Sequence, residues 1–432
     1  MPDGWSTIQR LPIGPNLYFL LALILPLIGQ RNIRLLLASS ALVMMYLFLG
    51  LWFALGAFSA CVAAWLLTEQ LARIAQHSGQ TRVCLTVGWI TIHAAYWPLC
   101  FAKLPAIPDM WPGDLTLFCG GAFFVIRAIH VLTDRVTGHL PRSTFLNYLT
   151  YMTYAPTFRL GPFDRYDHFQ AEVDTCLTRI RWRTACRSII RMTGGIAKML
   201  CMPLLIDAYF FSPRFAGGGP VTQPFLPEFF ENAASQPTSI LWIATWLFFL
   251  RIYLFFSGYS DVAIACSTAL GIRVDENFRW PLLSPRLSIY WRRWHISLGN
   301  WLRDYIYIPL GGNRRHATPN LTAVFVYSGI WHLPFPFFGG LWFGLAQAIA
   351  VRIDHWVDTI RGPDAPPPRT RRRWQTTRKI GGSILGFVIT YTIMSLTVLL
   401  LFDRAPQRYL CPGFHVIALL FKPLVGESLP LP

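Results

Sequence analysis

The chain has 432 residues, of which 53% are hydrophobic and only 14% charged, with a formal net charge of +17. An average soluble domain carries roughly 25% charged residues, so the composition excludes an ordinary soluble protein. No recognition-helix or zinc-finger pattern accompanies the basic excess, which excludes a nucleic-acid partner and leaves the positive loops of a membrane protein as its explanation.

The apolar residues lie in long runs: Asn16–Gln30, Leu35–Leu67, Val83–Phe101, Leu115–Leu132, Ser239–Phe256 and Ser383–Phe402. Crossing a hydrocarbon core takes about 20 apolar residues, and each run reaches or approaches that length. Leu35–Leu67 exceeds one upright span; it predicts two helices meeting near Gly50, or one span with an interfacial extension. The first run is followed by Arg31 and Arg34 with no A-x-A site, which predicts a retained span rather than a cleaved signal. The pattern predicts an all-α, polytopic protein with about ten membrane segments, lodged in a lipid bilayer. Aromatic residues make up 15% of the chain, including 17 Trp, enough for interfacial belts. The nine cysteines are scattered singly with no CxxC spacing, a pattern of apolar filling rather than metal ligation or a disulfide framework.

Between the runs, Thr68–Arg82, polar and helix-compatible, and Asp134–Arg142 read as connecting segments. Asp164–Arg191 is amphipathic and basic, with Arg179, Arg181, Arg183, Arg187 and Arg191 spaced to wrap a helix on an anionic leaflet. Ser212–Gln236, nearly free of positive charge, predicts a non-cytoplasmic loop. Arg361–Lys379 joins Pro366–Pro368 to Arg369 and Arg371–Arg373, as a flexible cytoplasmic linker does. No internal repeat supports an inverted-repeat transporter. Arg273–Arg315 is polar and dense in Trp, Tyr and Arg, with no acceptable span. Within it, Ser288–Tyr307 predicts an amphipathic helix pair with Trp291, Trp294, Leu298, Trp301 and Leu302 on the apolar side and Arg292, Arg293 and Arg303 among them. An ordered charged element between spans is costly unless it lines or abuts a cavity.

Chemistry points first to His332, which interrupts the apolar stretch from Leu321 to Leu345. An imidazole at membrane depth stays neutral and able to accept a proton, as a general base requires; a buried structural histidine bonded to a carbonyl is the alternative, and Gly329 beside Trp331 equally marks helix packing. His295, in Tyr290–Ser297, is the second candidate. His130 beside Arg127, and His93, read as structural. Asp261 lies alone in an apolar stretch; it pairs with an arginine of the central region, orients a histidine or caps a helix end. No serine-hydrolase elbow, Walker loop, GxGxxG or HExxH is present.

Three blocks carry a resemblance. Phe256–Arg315, FSGYSDVAIACSTALGIRVDENFRWPLLSPRLSIYWRRWHISLGNWLRDYIYIPLGGNRR, the upstream Tyr154–Phe169, YAPTFRLGPFDRYDHF, and the downstream Ser328–His332, SGIWH, occur in that order. Together they resemble the membrane-bound O-acyltransferase (MBOAT) family, in the branch of the alginate O-acetylation membrane subunit and the teichoic acid D-alanyl transfer protein. The resemblance implies one membrane domain over residues 1–432, with about ten to eleven transmembrane or re-entrant helices around a central tunnel and a core at 154–345. It implies a multi-pass protein of the bacterial inner membrane that moves a small acyl group, acetyl above all, to an exported polysaccharide or periplasmic partner. His332 matches the family's invariant histidine, and His295 its second polar position. Around them it implies Arg292, Arg293, Trp294, Arg303, Asp304, Trp331 and Asp261 as substrate-binding residues, with no metal. Arg292, Arg293, Arg303 and Arg314 would attract a phosphorylated donor, or alternatively fix topology or bind lipid headgroups. The donor implied is acyl-CoA (acetyl-CoA) or an acyl-phosphopantetheine carrier protein from the cytoplasm, a substrate rather than a bound cofactor. The partners implied are a periplasmic acyltransferase or polysaccharide machinery. The GPFDRY block, Gly161–Tyr166, resembles the D-alanyl branch somewhat better. Leu333-Pro334 departs from the small residues common in relatives, which implies a differently shaped tunnel there. The rival classes are an inactive scaffold and a transporter with a histidine proton relay.

Overall fold

The structure, a computed structural model, describes residues 32–49, 51–101, 111–158, 161–202, 205–206, 236–331, 337–361, 372–401, 416–417 and 419–421. Among these residues every regular element is helical. The chain divides into two compact units, Met1–Ile196 with Gly258–Glu276, and Ala197–Ser257 with Asn277–Pro432.

The first unit contains α1 (Ile33–Leu49), α2 (Leu51–Ser78), α3 (Thr81–Phe101), α4 (Trp111–Val136), α5 (Phe145–Thr153), the single turn α6 (Ala155–Phe158), α7 (Tyr166–Thr175) and α8 (Trp182–Ile196). Helices α1 and α2 share the long run Leu35–Leu67 and flank Gly50, as two helices rather than one. The helix-compatible connection Thr68–Arg82 is mostly helix: α2 continues to Ser78 and α3 begins at Thr81. Two features favour this over an open loop. The segment is rich in good helix formers, and Glu69 is buried against Arg135 at 3.2 Å. Gly79, at φ 68°, ends α2 with its N–H donating to the Ala75 carbonyl, the positive-φ helix stop that glycine accommodates without strain. The run Asn16–Gln30 and the loop Ser212–Gln236, apart from its last residue, lie outside the described residues.

Helix α9 (Thr238–Ala269) supplies residues to both units. Its 32 residues measure about 48 Å at the α-helical rise, more than the ~30 Å of a hydrocarbon core. By length and composition, Thr238–Ala269 and Ala54–Ser78 are the described helices able to cross a membrane, and Ile33–Tyr46 and Ile384–Leu399 are shorter apolar helices.

The second unit also holds α10 (Leu287–Trp291), α11 (Ile296–Leu302), α12 (Ala317–Trp331), α13 (Phe337–Arg361) and α14 (Arg372–Leu401). Its core joins Phe248 and Phe249 of α9 to Leu287, Tyr290, Phe325, Phe343, Met394 and Val398. Helices α12 and α13 meet backbone to backbone. A Cβ on Gly329 would collide with the Gly340 carbonyl, one on Gly340 with the Gly329 carbonyl, and one on Gly344 with the Phe325 carbonyl. Small residues spaced in this way let membrane helices approach closely. Within this unit Gly386 of α14 also lies against the Pro285 carbonyl. The stretch Arg361–Lys379 is not linker throughout, because α14 begins at Arg372; once the prolines are passed, nothing in Arg372–Lys379 opposes a helix.

Candidate functional site

The expected amphipathic pair forms as α10 and α11, with Leu298, Trp301 and Leu302 buried. The two helices are interrupted at Arg292–His295, where the chain makes the turn that carries the candidate histidine. Two backbone bonds tie this turn to the segment after α9: Arg279 N–H donates to the Arg293 carbonyl at 3.0 Å, and Ile296 N–H donates to the Asn277 carbonyl at 2.9 Å. His295 sits at φ 46° and ψ 52°, immediately before α11. Left-handed backbone is uncommon for any residue but glycine, though histidine tolerates it better than most.

The His295 side chain is 4% exposed. Its ring meets Phe256 edge-on with centroids 4.8 Å apart and lies parallel to Phe278 at 6.5 Å. Trp294 beside it stacks on Tyr290 at 5.5 Å and on Phe249 at 5.9 Å. In this apolar, aromatic setting the Nδ1 of His295 lies 3.1 Å from the Oδ1 of the fully buried Asn277. The same Oδ1 accepts from the Ser297 hydroxyl at 2.9 Å and the Ser297 N–H at 3.4 Å. Low local polarity strengthens such bonds and makes a missing partner costly.

Trp294 is thus the predicted site residue most closely associated with His295. Arg292 turns back to donate to the Ser288 carbonyl at 3.2 Å. Arg303 and Asp304 pair with each other at 2.7 Å in the wide helical turn that follows α11. Trp331 is buried at the end of α12. His332 follows it directly and lies outside the described residues, as do Leu333 and Pro334. Gly329, three residues before His332, is a helix-packing contact.

Asp261 accepts from Arg191 at 2.8 Å, and Arg191 also reaches Glu276 at 2.5 Å. Gly195 explains this partner: its missing side chain lets α8 press against Gly258, Asp261 and Val262, which brings Arg191, one turn earlier, to the carboxylate. His130, read as structural, and Arg127 beside it both hold backbone in place. His130 Nε2 accepts from the Tyr166 N–H at 2.9 Å, and Arg127 donates to the carbonyls of Tyr151, Met152 and Thr157 and to the Thr157 hydroxyl. His93 Nδ1 lies 2.8 Å from the Trp89 carbonyl of its own helix.

The Gly161–Tyr166 block is held by the same cluster. A Cβ on Gly161 would meet Thr157 and Ala263, Phe163 packs edge-on against His130, and Tyr151 donates to the Asp164 carbonyl. Asp164 also binds His168 at 2.8 Å, and this bond raises the His168 pKa from 6.5 to about 9.

Sequence reasoning missed Asn277. Its signal was slight: one uncharged polar residue after the half-buried or exposed Val274, Asp275 and Glu276. It also missed Gln347, buried in α13 between Trp291 and Thr397.

A model of the MBOAT, membrane-bound O-acyltransferase, family matches residues 38–345, beginning well upstream of the 154–345 core marked by the motifs. The chain is similar to "Probable alginate O-acetylase AlgI" of Azotobacter vinelandii, 43% identical over 251 residues, which cover 56% of this chain and 46% of that protein. It is also similar to a peptidoglycan O-acetyltransferase of Helicobacter pylori, 27% identical over 52% of this chain and 40% of the relative. A teichoic acid D-alanyltransferase of Bacillus subtilis is 26% identical over 74% of this chain and 73% of the relative. The chain spans about half the length of the alginate relatives that it matches over the longest stretches. With 38–345 matched, a stretch that includes both His295 and His332, the chain belongs to the membrane-bound O-acyltransferase family.

Proposed function

We propose that the protein is a multi-pass O-acyltransferase of the bacterial inner membrane that moves an acetyl group from a cytoplasmic thioester to an exported polysaccharide or a periplasmic partner. The observation that carries this reading is the 43% identity to an alginate O-acetylase, within a family match that includes both candidate histidines. His332 serves as general base. It takes the proton of the acceptor hydroxyl as that oxygen attacks the thioester carbonyl; the C–S bond then breaks, and the departing thiolate recovers the proton. His295 contacts the acceptor side of the reaction, and Arg292, Arg293 and Arg303 favour a phosphorylated donor. Trp294, Asp304 and Trp331 shape the substrate path.

The extent of the similarity to the D-alanyltransferase, 74% of this chain, favours a second reading. In it the acyl group is D-alanine, delivered by a carrier protein to a cell-envelope polymer. Purified protein offered radiolabelled acetyl-CoA and, separately, a D-alanyl-charged carrier separates the two. We expect label to pass from acetyl-CoA to extracted surface polysaccharide or periplasmic protein. Transfer from the charged carrier alone would establish the second reading instead.

A further inference from the structure

We infer that Asn277 is a positioning residue for acyl transfer, fixing His295 in the tautomer that carries hydrogen on Nδ1 and leaves Nε2 as a hydrogen-bond acceptor. The inference rests on the proposed active-site role of His295 and deepens it, because it decides which reactant the ring can serve.

The tautomer follows from an atom that can only donate. The Ser297 backbone N–H points at one atom of the Asn277 amide, so that atom is the oxygen and not the nitrogen. Oxygen accepts; therefore His295 Nδ1, 3.1 Å away, must bring the hydrogen. The opposite tautomer would set two lone pairs against each other among Phe256, Phe278 and Trp294, where water cannot relieve the conflict. The Ser297 hydroxyl adds a second donor to the same oxygen. The backbone of Asn277 contributes as well: its carbonyl accepts from Ile296 N–H, which helps to hold His295 in left-handed backbone. Asn277 therefore constrains both the ring and the turn that carries it.

A neutral His295 so held has its lone pair on Nε2. It can accept a hydrogen bond from a hydroxyl, but it cannot donate from Nε2 to a thioester carbonyl. That assigns it to orienting the acceptor through a hydroxyl next to the attacking one, whose own proton goes to His332, with carbonyl polarisation left to other groups.

The test uses the full chain in detergent with 15N-labelled histidine. Long-range 1H–15N spectra distinguish the two tautomers, and the His295 signals are those lost in His295→Asn, a change that tolerates the left-handed backbone. We expect Nδ1–H in the wild type and a shift towards Nε2–H in Asn277→Ala. The same variant should lose acyl transfer in kcat on the order of 10- to 100-fold, with KM for the donor nearly unchanged. Asn277→Asp keeps an acceptor and should restore much of kcat, while moving the acidic limb of the pH profile upward, because a carboxylate stabilises the imidazolium. Nε2–H in the wild type would overturn the inference, and so would a wild-type pH profile and kcat in both variants. Nδ1–H in a wild-type protein that transfers no acyl group from any donor would instead refute the transferase reading while upholding the tautomer assignment.

Discussion

His295 and Arg127 illustrate how single residues pay for unusual settings. Left-handed backbone at a non-glycine residue costs about 1–3 kcal/mol and persists only where neighbours enforce it; at His295 the enforcing bonds come from Asn277 and Arg279. Arg127 is a buried cation whose two terminal guanidinium nitrogens donate to carbonyl and hydroxyl oxygens, and it also lies 5.3 Å from the Tyr151 ring centroid. The Asp164–His168 pair makes a prediction at this scale. The His168 pKa is raised from 6.5 to about 9 by its bond to Asp164, so its contribution to stability is complete below pH 6.5 and lost as pH rises through about 9. The melting temperature of His168→Ala should fall below that of the wild type at pH values under 6.5, and the gap should close above about 9. A gap of constant size across that range would contradict the pairing. His130 stood out in the sequence because it interrupts an apolar run, whereas Asn277 did not. Its contact spans 18 residues and depends on a loop returning to its own start, a relation that no local periodicity records.

At the scale of elements, the α12–α13 contact is the tightest joint near the sequence position of His332. Gly340 and Gly344 lie one helical turn apart, facing Gly329 and Phe325. Gly340→Leu should force the two helices apart, at a cost of about 1–3 kcal/mol for overpacking. We expect a lower melting temperature in detergent and reduced acyl transfer. Gly56→Leu is the control, since nothing lies within 4 Å of a Cβ there; equal losses in the two variants would refute the close-packing account. The helices themselves were largely legible. Apolar runs marked α1 to α4, α9 and α14, and the excess length of Leu35–Leu67 announced the division at Gly50. Thr68–Ser78 read as helix-compatible but as a connection; its continuation of α2 was hidden because its polarity gave no sign that Glu69 is buried with Arg135. The close approach of α12 to α13 was visible only as an alternative meaning for Gly329, because a glycine reads alike in a turn and in a helix contact.

At the scale of the whole molecule, the composition points to the membrane and the motif blocks point to the family, and the match over 38–345 joins the two. The part of the chain beyond Leu345, including α14, falls outside that match, and the Arg361–Lys379 stretch gave no resemblance to place it. The central claim is that this chain transfers an acyl group with His332 as base. The most direct test is transfer of label from radiolabelled acetyl-CoA by the purified full chain, wild type beside His332→Ala, with matched insertion and melting behaviour. We predict labelled acceptor from the wild type and none above background from His332→Ala; transfer retained at wild-type rate in the variant would contradict the assignment.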